Sequence, residues 1–204
     1  MQMIFETQMT SDEYVIERGW QRATLHSCPV HPDRDCGLRA HGSYARKHPS
    51  GVRVARWYCA TGQVTISLLP EFLAASFSGT LPELEAATAV SELTRSINEA
   101  ARQLRPELDD ERSAVRWLRR RLSAISEALT VLVTSLPELM GTAPRLSAIG
   151  AKLGAAGGTI LVALRRASSS LLSALPAPLG FRHRKAVARK VAGTTQHTVG
   201  PARG

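Results

Sequence analysis

All three cysteines of this 204-residue chain, Cys28, Cys36 and Cys59, stand in its first third, and their spacing limits what that part can fold into. The string Cys28-Pro-Val-His31-Pro-Asp-Arg-Asp-Cys36 puts three soft ligands within nine residues, and Cys59 ends a β-branched, aromatic run. That run, residues 52–59, alternates Val52 and Val54 against Arg53, which is the period of a strand. His48-Pro49-Ser50-Gly51 is a turn by composition, so residues 42–47 are the expected preceding strand of a hairpin. Residues 63–69 read as a third short strand, stopped by Pro70. A small antiparallel sheet with ligand loops at both ends is how a zinc ribbon holds a tetrahedral ion.

Cys28, His31, Cys36 and Cys59 are therefore the candidate metal ligands. The first pair is a Cys-x-x-His knuckle, but Cys59-Ala60-Thr61-Gly62-Gln63 offers no second thiolate or imidazole, so four ligands would converge by an irregular route. The alternative is three reduced cysteines and a surface histidine in a ribbon without metal. Zinc would be structural here. Catalytic zinc needs an open coordination position and a general base, and no His-Glu-x-x-His or comparable motif occurs. Tetrahedral Zn–S bonds of about 2.3 Å would hold the three sulfurs within about 4 Å of one another. Arg39, Arg46, Lys47, Arg53 and Arg56 lie in the same stretch, interleaved with Tyr44, Trp57 and Tyr58. Basic groups among aromatics on a small sheet suit contact with phosphates and bases. The plainer reading is that the aromatics pack the ribbon.

From Leu81 the composition changes to Ala, Leu, Glu and Arg, and the reading becomes helical. Thr80 with Glu83, and Ser96 with Glu99, are helix starts. A short helix over residues 97–104 carries Ile97, Ala100, Ala101 and Leu104 at i, i+3, i+4, i+7. Asp109 or Asp110 caps a third helix from Glu111, with Val115, Leu118, Leu122 and Ile125 as its buried face. Arg112, Arg116, Arg119, Arg120 and Arg121 decorate the rest, beyond what Glu111 could neutralise through i,i+4 pairing. Three helices with a short middle one and an Arg-dense third are the parts of a helix-turn-helix unit. A bundle helix with a solvated basic face is the competing account, and the 105–110 connection is longer than the tight motif's turn.

The chain carries a net charge of +9, and residues 177–204 hold Arg182, Arg184, Lys185, Arg189, Lys190 and Arg203 with no acid. That segment reads as a disordered basic tail able to touch phosphates without reading sequence. No acid follows Glu138, so carboxylate chemistry would have to lie in the first two thirds, and no nucleophile elbow or phosphate loop appears. The start lacks the basic region of a secretory signal, and no run of about 18 apolar residues occurs. The expectation is a cytoplasmic protein without membrane contact, catalytic residues or a small-molecule substrate.

Across residues 28–74 the chain reads Cys-Pro-x-His, His-Gly-x-Tyr-x-Arg, Gly-x-Arg-Val-x-Arg-Trp-Tyr-Cys and Ile-Ser-Leu-Leu-Pro-x-Phe-Leu-Ala. These strings resemble the N-terminal zinc-ribbon region of bacterial insertion-sequence transposases. The closest likeness is to a transposon-associated group in which helix-turn-helix helices follow the ribbon and no nuclease core is present; residues 96–121 match that second part. In such proteins a Cys or His stands a few positions after the equivalent of Cys59, where this chain has Gly62 or Gln63. The resemblance implies DNA binding at mobile-element ends, or a relic of it, and a nucleoid-associated location when DNA is bound.

The expected fold is α+β: a small antiparallel zinc-ribbon-like hairpin sheet, an all-α helix-turn-helix-like bundle and a disordered basic tail. Residues 1–27 are an irregular or weakly helical lead-in, 28–77 the ribbon, 78–136 the helix-turn-helix-like helices, 137–176 additional helices, and 177–204 the tail. The preferred function is a non-catalytic DNA-binding protein, with a structural zinc and with homo-oligomer contacts assigned to the C-terminal helices. The alternative is a helical protein–protein adaptor acting through residues 129–139 and 161–175.

Overall fold

A computed structural model of the chain describes residues 1–154 and 160–182. Its sheet contains β1 (Gln2–Phe5), β2 (Arg39–Ala45), β3 (Arg53–Cys59) and β4 (Val64–Pro70), in the order β1-β4-β3-β2. The β2–β3–β4 meander is antiparallel, as the turn signals require, with a register shift between Ala40 and Ser43. β1 instead runs parallel to β4, pairing Gln2 with Ser67 and Phe5 with Pro70. The sheet is therefore mixed rather than purely antiparallel. The lead-in takes the helical of its two expected forms in α1 (Ser11–Ile16), which opens with a Thr10–Glu13 capping box, and adds the unexpected strand β1.

Both faces of β3 and β4 are covered, whereas β2 is largely exposed. One face packs Val52, Val54 and Leu69 on Tyr14, Phe72 and Leu73. Tyr14 is fully buried, edge-on to Trp20 and Phe72, and its hydroxyl donates to the Arg53 carbonyl. A Cβ on Gly19 would come within 2.2 Å of the Tyr14 ring, so the chain needs glycine there. The opposite face packs Ala55, Ile66 and Leu68 against Ala23, Cys28, Cys36 and Cys59.

Helices α2 (Leu81–Leu93), α3 (Ile97–Leu104), α4 (Glu111–Ser135), α5 (Leu146–Leu153) and α6 (Ile160–Ala167) follow. Thr80, Ser96 and Asp110 are the N-caps of the first three, and Thr80 forms its box with Glu83. Val115 and Leu118 of α4 are buried against Ala100 and Ala101, with Ile97, Leu104 and Leu122 partly buried around them. Further along, Ile125, Leu129 and Leu132 enter a second core with Leu84, Leu139, Ile149, Leu161 and Leu164. Two carboxylates of α2 hold α5 and α6 by their positive ends. Glu92 accepts from the Leu146 and Ser147 amides, and Glu85 accepts from the Leu161 amide at 2.9 Å.

The sheet and the helical half are joined through a buried network at the end of β4. Arg165, 1% exposed, donates to the carbonyls of Glu71, Leu73, Pro178 and Leu179. Glu71 takes a bidentate pair of bonds from Arg166 at 2.6 and 2.7 Å and accepts the Thr7 and Gln8 amides. Because Pro178 and Leu179 are buried and Arg182 pairs with Glu127, the expected tail does not begin at residue 177. Residues 177–182 fold back on the core, and the remainder of that segment lies outside the described residues.

Candidate metal centre

Two loops and one strand end build the cluster. Cys28 and His31 sit on a turn closed by the His31 amide on the Cys28 carbonyl, 3.2 Å. Cys36 precedes β2, and Cys59 is the last residue of β3. The Cys36 carbonyl ties the loops together by accepting the Thr61 amide and hydroxyl at 3.1 and 3.3 Å. The ligand atoms of Cys28, His31, Cys36 and Cys59 all lie within 4.8 Å of one another. His31 presents Nδ1, 3.3 Å from the Cys59 sulfur and 3.9 Å from the Cys28 sulfur. Edges of a tetrahedral zinc site with Zn–S bonds of about 2.3 Å are about 3.8 Å long, so this spacing and donor set fit a four-coordinate ion.

All three cysteines are buried and reduced, and His31 is half-buried. Burial pushes the Cys28 thiol up, but the Val30 and His31 amides, with Cys36 and the His31 ring, outweigh it and lower the pKa. Burial pushes the Cys36 thiol up, reinforced by its hydrogen bonds to Cys59 and Cys28 and by their charges. Three buried sulfurs this close cannot all carry charge without a cation among them, and a cation is what the geometry can receive. With four protein donors the site is closed, the arrangement of a structural rather than a catalytic ion.

The break in the second knuckle has a structural reason. Gly62, where a ligand is expected from the resemblance, donates its amide to the Cys59 sulfur at 3.2 Å. A Cβ there would lie 3.2 Å from His31 Cε1 and 3.3 Å from the Cys59 sulfur. Glycine thus occupies the space that a side chain would take from the cluster, and Cys36 completes the set of four.

The basic residues separate into two groups. Arg46 is half-buried and donates to the Ala74 and Phe77 carbonyls, and Arg53 binds the Ser43 hydroxyl and carbonyl. Both brace the fold. Arg56 is half-buried, and its Nε has no partner among the described residues. Lys47 is exposed. Arg39, at the outer edge of the sheet, lies 5.4 Å over the Tyr58 ring, beside which His41 sits at 5.6 Å. Arg112, Arg116, Arg119 and Arg120 are exposed along α4. Sequence reasoning did not single out Glu71, Arg165 or the sulfur contact of Gly62.

Comparison with known proteins returns no match to a family model, a curated protein or a solved structure. Among the described residues, no helix is long and apolar enough to cross a membrane.

Proposed function

We propose that this chain is a non-catalytic DNA-binding protein whose sheet is held by a structural zinc ion at Cys28, His31, Cys36 and Cys59. The observation that carries the DNA reading is the outer face of α4. Arg112, Arg116, Arg119 and Arg120 are exposed there, and their guanidinium groups enter no hydrogen bond or ion pair among the described residues. An exposed row of unpaired arginines stabilises a fold little, whereas it neutralises phosphates well. The short α3 followed by this helix is compatible with a helix-turn-helix, although the connection from Arg105 to Asp110 is longer than the tight motif's. Arg39, His41 and Tyr58 offer a second contact surface at the sheet edge. A relation to insertion-sequence transposases rests on the residue strings around the cysteines. An adaptor role is less well supported, because Leu129, Leu132, Leu139, Leu161, Leu164 and Leu175 are buried in the chain's own core.

Anisotropy of a labelled duplex at several salt concentrations tests the reading. Arg116→Ala with Arg120→Ala should weaken binding to all sequences alike and flatten the logarithmic salt slope by about 2, with unchanged circular dichroism. Unaltered affinity in that variant would leave α4 as an ordinary bundle helix.

A further inference from the structure

Beside the sheet, a cleft of about 600 Å³ opens between α2, the end of α3 and α4, with His48 of the β2–β3 turn at its rim. That volume falls in the range of small-ligand sites. On its wall, the Arg121 guanidinium lies 4.1 Å from the centroid of the Trp117 ring, and the Arg105 guanidinium lies 5.0 Å from the same centroid. All three residues are half-buried.

The carboxylates in this cleft are already engaged. Glu83 accepts from the Thr80 amide and pairs with His48 at 3.0 Å, while Glu107 pairs with Arg105 through Nε. Arg121 forms no close ion pair among the described residues, and Glu83 acts on it only through its charge. Its single side-chain bond, to the Ser78 carbonyl, is stretched to 3.4 Å. Most of its five N–H donors, and the terminal nitrogens of Arg105, are therefore unused. Burial, followed by the charges of Arg105 and Arg120, lowers the Arg121 pKa from its ordinary value, against a smaller opposing pull from Glu83. Stacking on an indole fixes a planar fork in one orientation, and a fixed fork is matched to the oxygens of a phosphate better than to a point anion.

We propose that this cleft is a phosphate-binding site in which the Trp117-stacked Arg121, assisted by Arg105, captures the phosphate of a nucleotide or of a DNA strand. The site does not depend on the arginine row of α4, since neither Arg105 nor Arg121 belongs to it.

The test follows the indole N–H resonance of Trp117, assigned with Trp117→Phe, in the full-length metal-loaded protein. Three probes are titrated: inorganic phosphate, a nucleoside monophosphate, and a short duplex without terminal phosphates. A shift with either of the first two identifies a free phosphate as the ligand, and a shift with the duplex alone identifies the strand backbone. Either response should weaken at least about tenfold in Arg121→Gln, the loss expected when a charge-assisted hydrogen bond is removed. Arg105→Gln should weaken it less, which keeps the test decisive if Arg121→Gln fails to fold. No shift with any probe, or a shift equal in wild type and both variants, overturns the proposal. A nucleotide response in a protein that fails to bind duplex in the anisotropy assay would retain this site and discard the DNA reading.

Discussion

Replacing Arg165 with methionine should be among the most damaging single changes in the chain. The guanidinium is 1% exposed and its bonds end on four main-chain carbonyls, two beyond β4 (Glu71, Leu73) and two in the C-terminal turn (Pro178, Leu179). A hydrogen bond from a charged donor contributes about 1.5–3 kcal/mol, so four together set an upper bound of roughly 6–12 kcal/mol. Against this stands the desolvation of a buried cation, which costs several kcal/mol. Methionine removes that cost and fills most of the volume, but it leaves the Glu71, Leu73 and Leu179 carbonyls without a donor, while the Pro178 carbonyl keeps the Ala75 amide. The expected net loss is about 3–5 kcal/mol, equivalent to a fall of roughly 6–20 °C in Tm for a chain of this size. Urea denaturation followed by circular dichroism measures it, with the midpoint moving and the slope constant. Arg165→Lys should fall between the two, because one ammonium cannot reach four carbonyls. A loss below about 1 kcal/mol for Arg165→Met would refute the reasoning, since the carbonyls would then have to find other donors at no cost.

Cys59→Ser should lower bound zinc well below one ion per chain and reduce Tm, measured by metal analysis and thermal melting; full metal content would remove Cys59 from the ligand set. Gly62→Val keeps every ligand yet puts atoms against the Cys59 sulfur and His31, so zinc affinity by competition with a chelator should fall about 10–100-fold. Burial pushes the Glu71 carboxyl up, but Arg166 and the Gln8 and Thr7 amides outweigh it and hold its pKa below the usual value. The unfolded chain therefore binds the proton more readily, and the contribution is complete above the ordinary glutamate range and lost as pH falls through the native value. Urea midpoints across acid pH should show this loss in wild type and not in Glu71→Gln.

What could be read from the sequence was whatever local chemistry decides. The four ligands announce themselves by residue type and spacing, and the starts of α2, α3 and α4 by Thr80, Ser96 and Asp110. Strand β1 escaped because four residues carry no measurable period and owe their conformation to a parallel partner more than 60 positions away. Arg165 and Glu71 escaped for a related reason, as did the bracing role of Arg46, which reads as a phosphate contact. A charged side chain is ordinarily solvated, and only the assembled fold supplies the carbonyls and amides that draw these inward. Gly62 was visible as a missing ligand, but its use as an amide donor to sulfur depends on a backbone path that spacing alone does not define.

The Glu71–Arg165–Arg166 network also bears on the order in which the chain can mature during synthesis. All four residues of the Cys28–His31–Cys36–Cys59 cluster have left the ribosome once Cys59 emerges, so the cluster can close while the helical half is still being made. The strand end at residues 70–73 has no such autonomy. Its buried carboxylate and two of its carbonyls wait for guanidinium groups encoded more than 90 residues later. Until α6 arrives, that corner of the nascent protein must stay open to water, so residues 1–77 alone would form a piece with a closed cysteine–histidine cluster and a frayed seam.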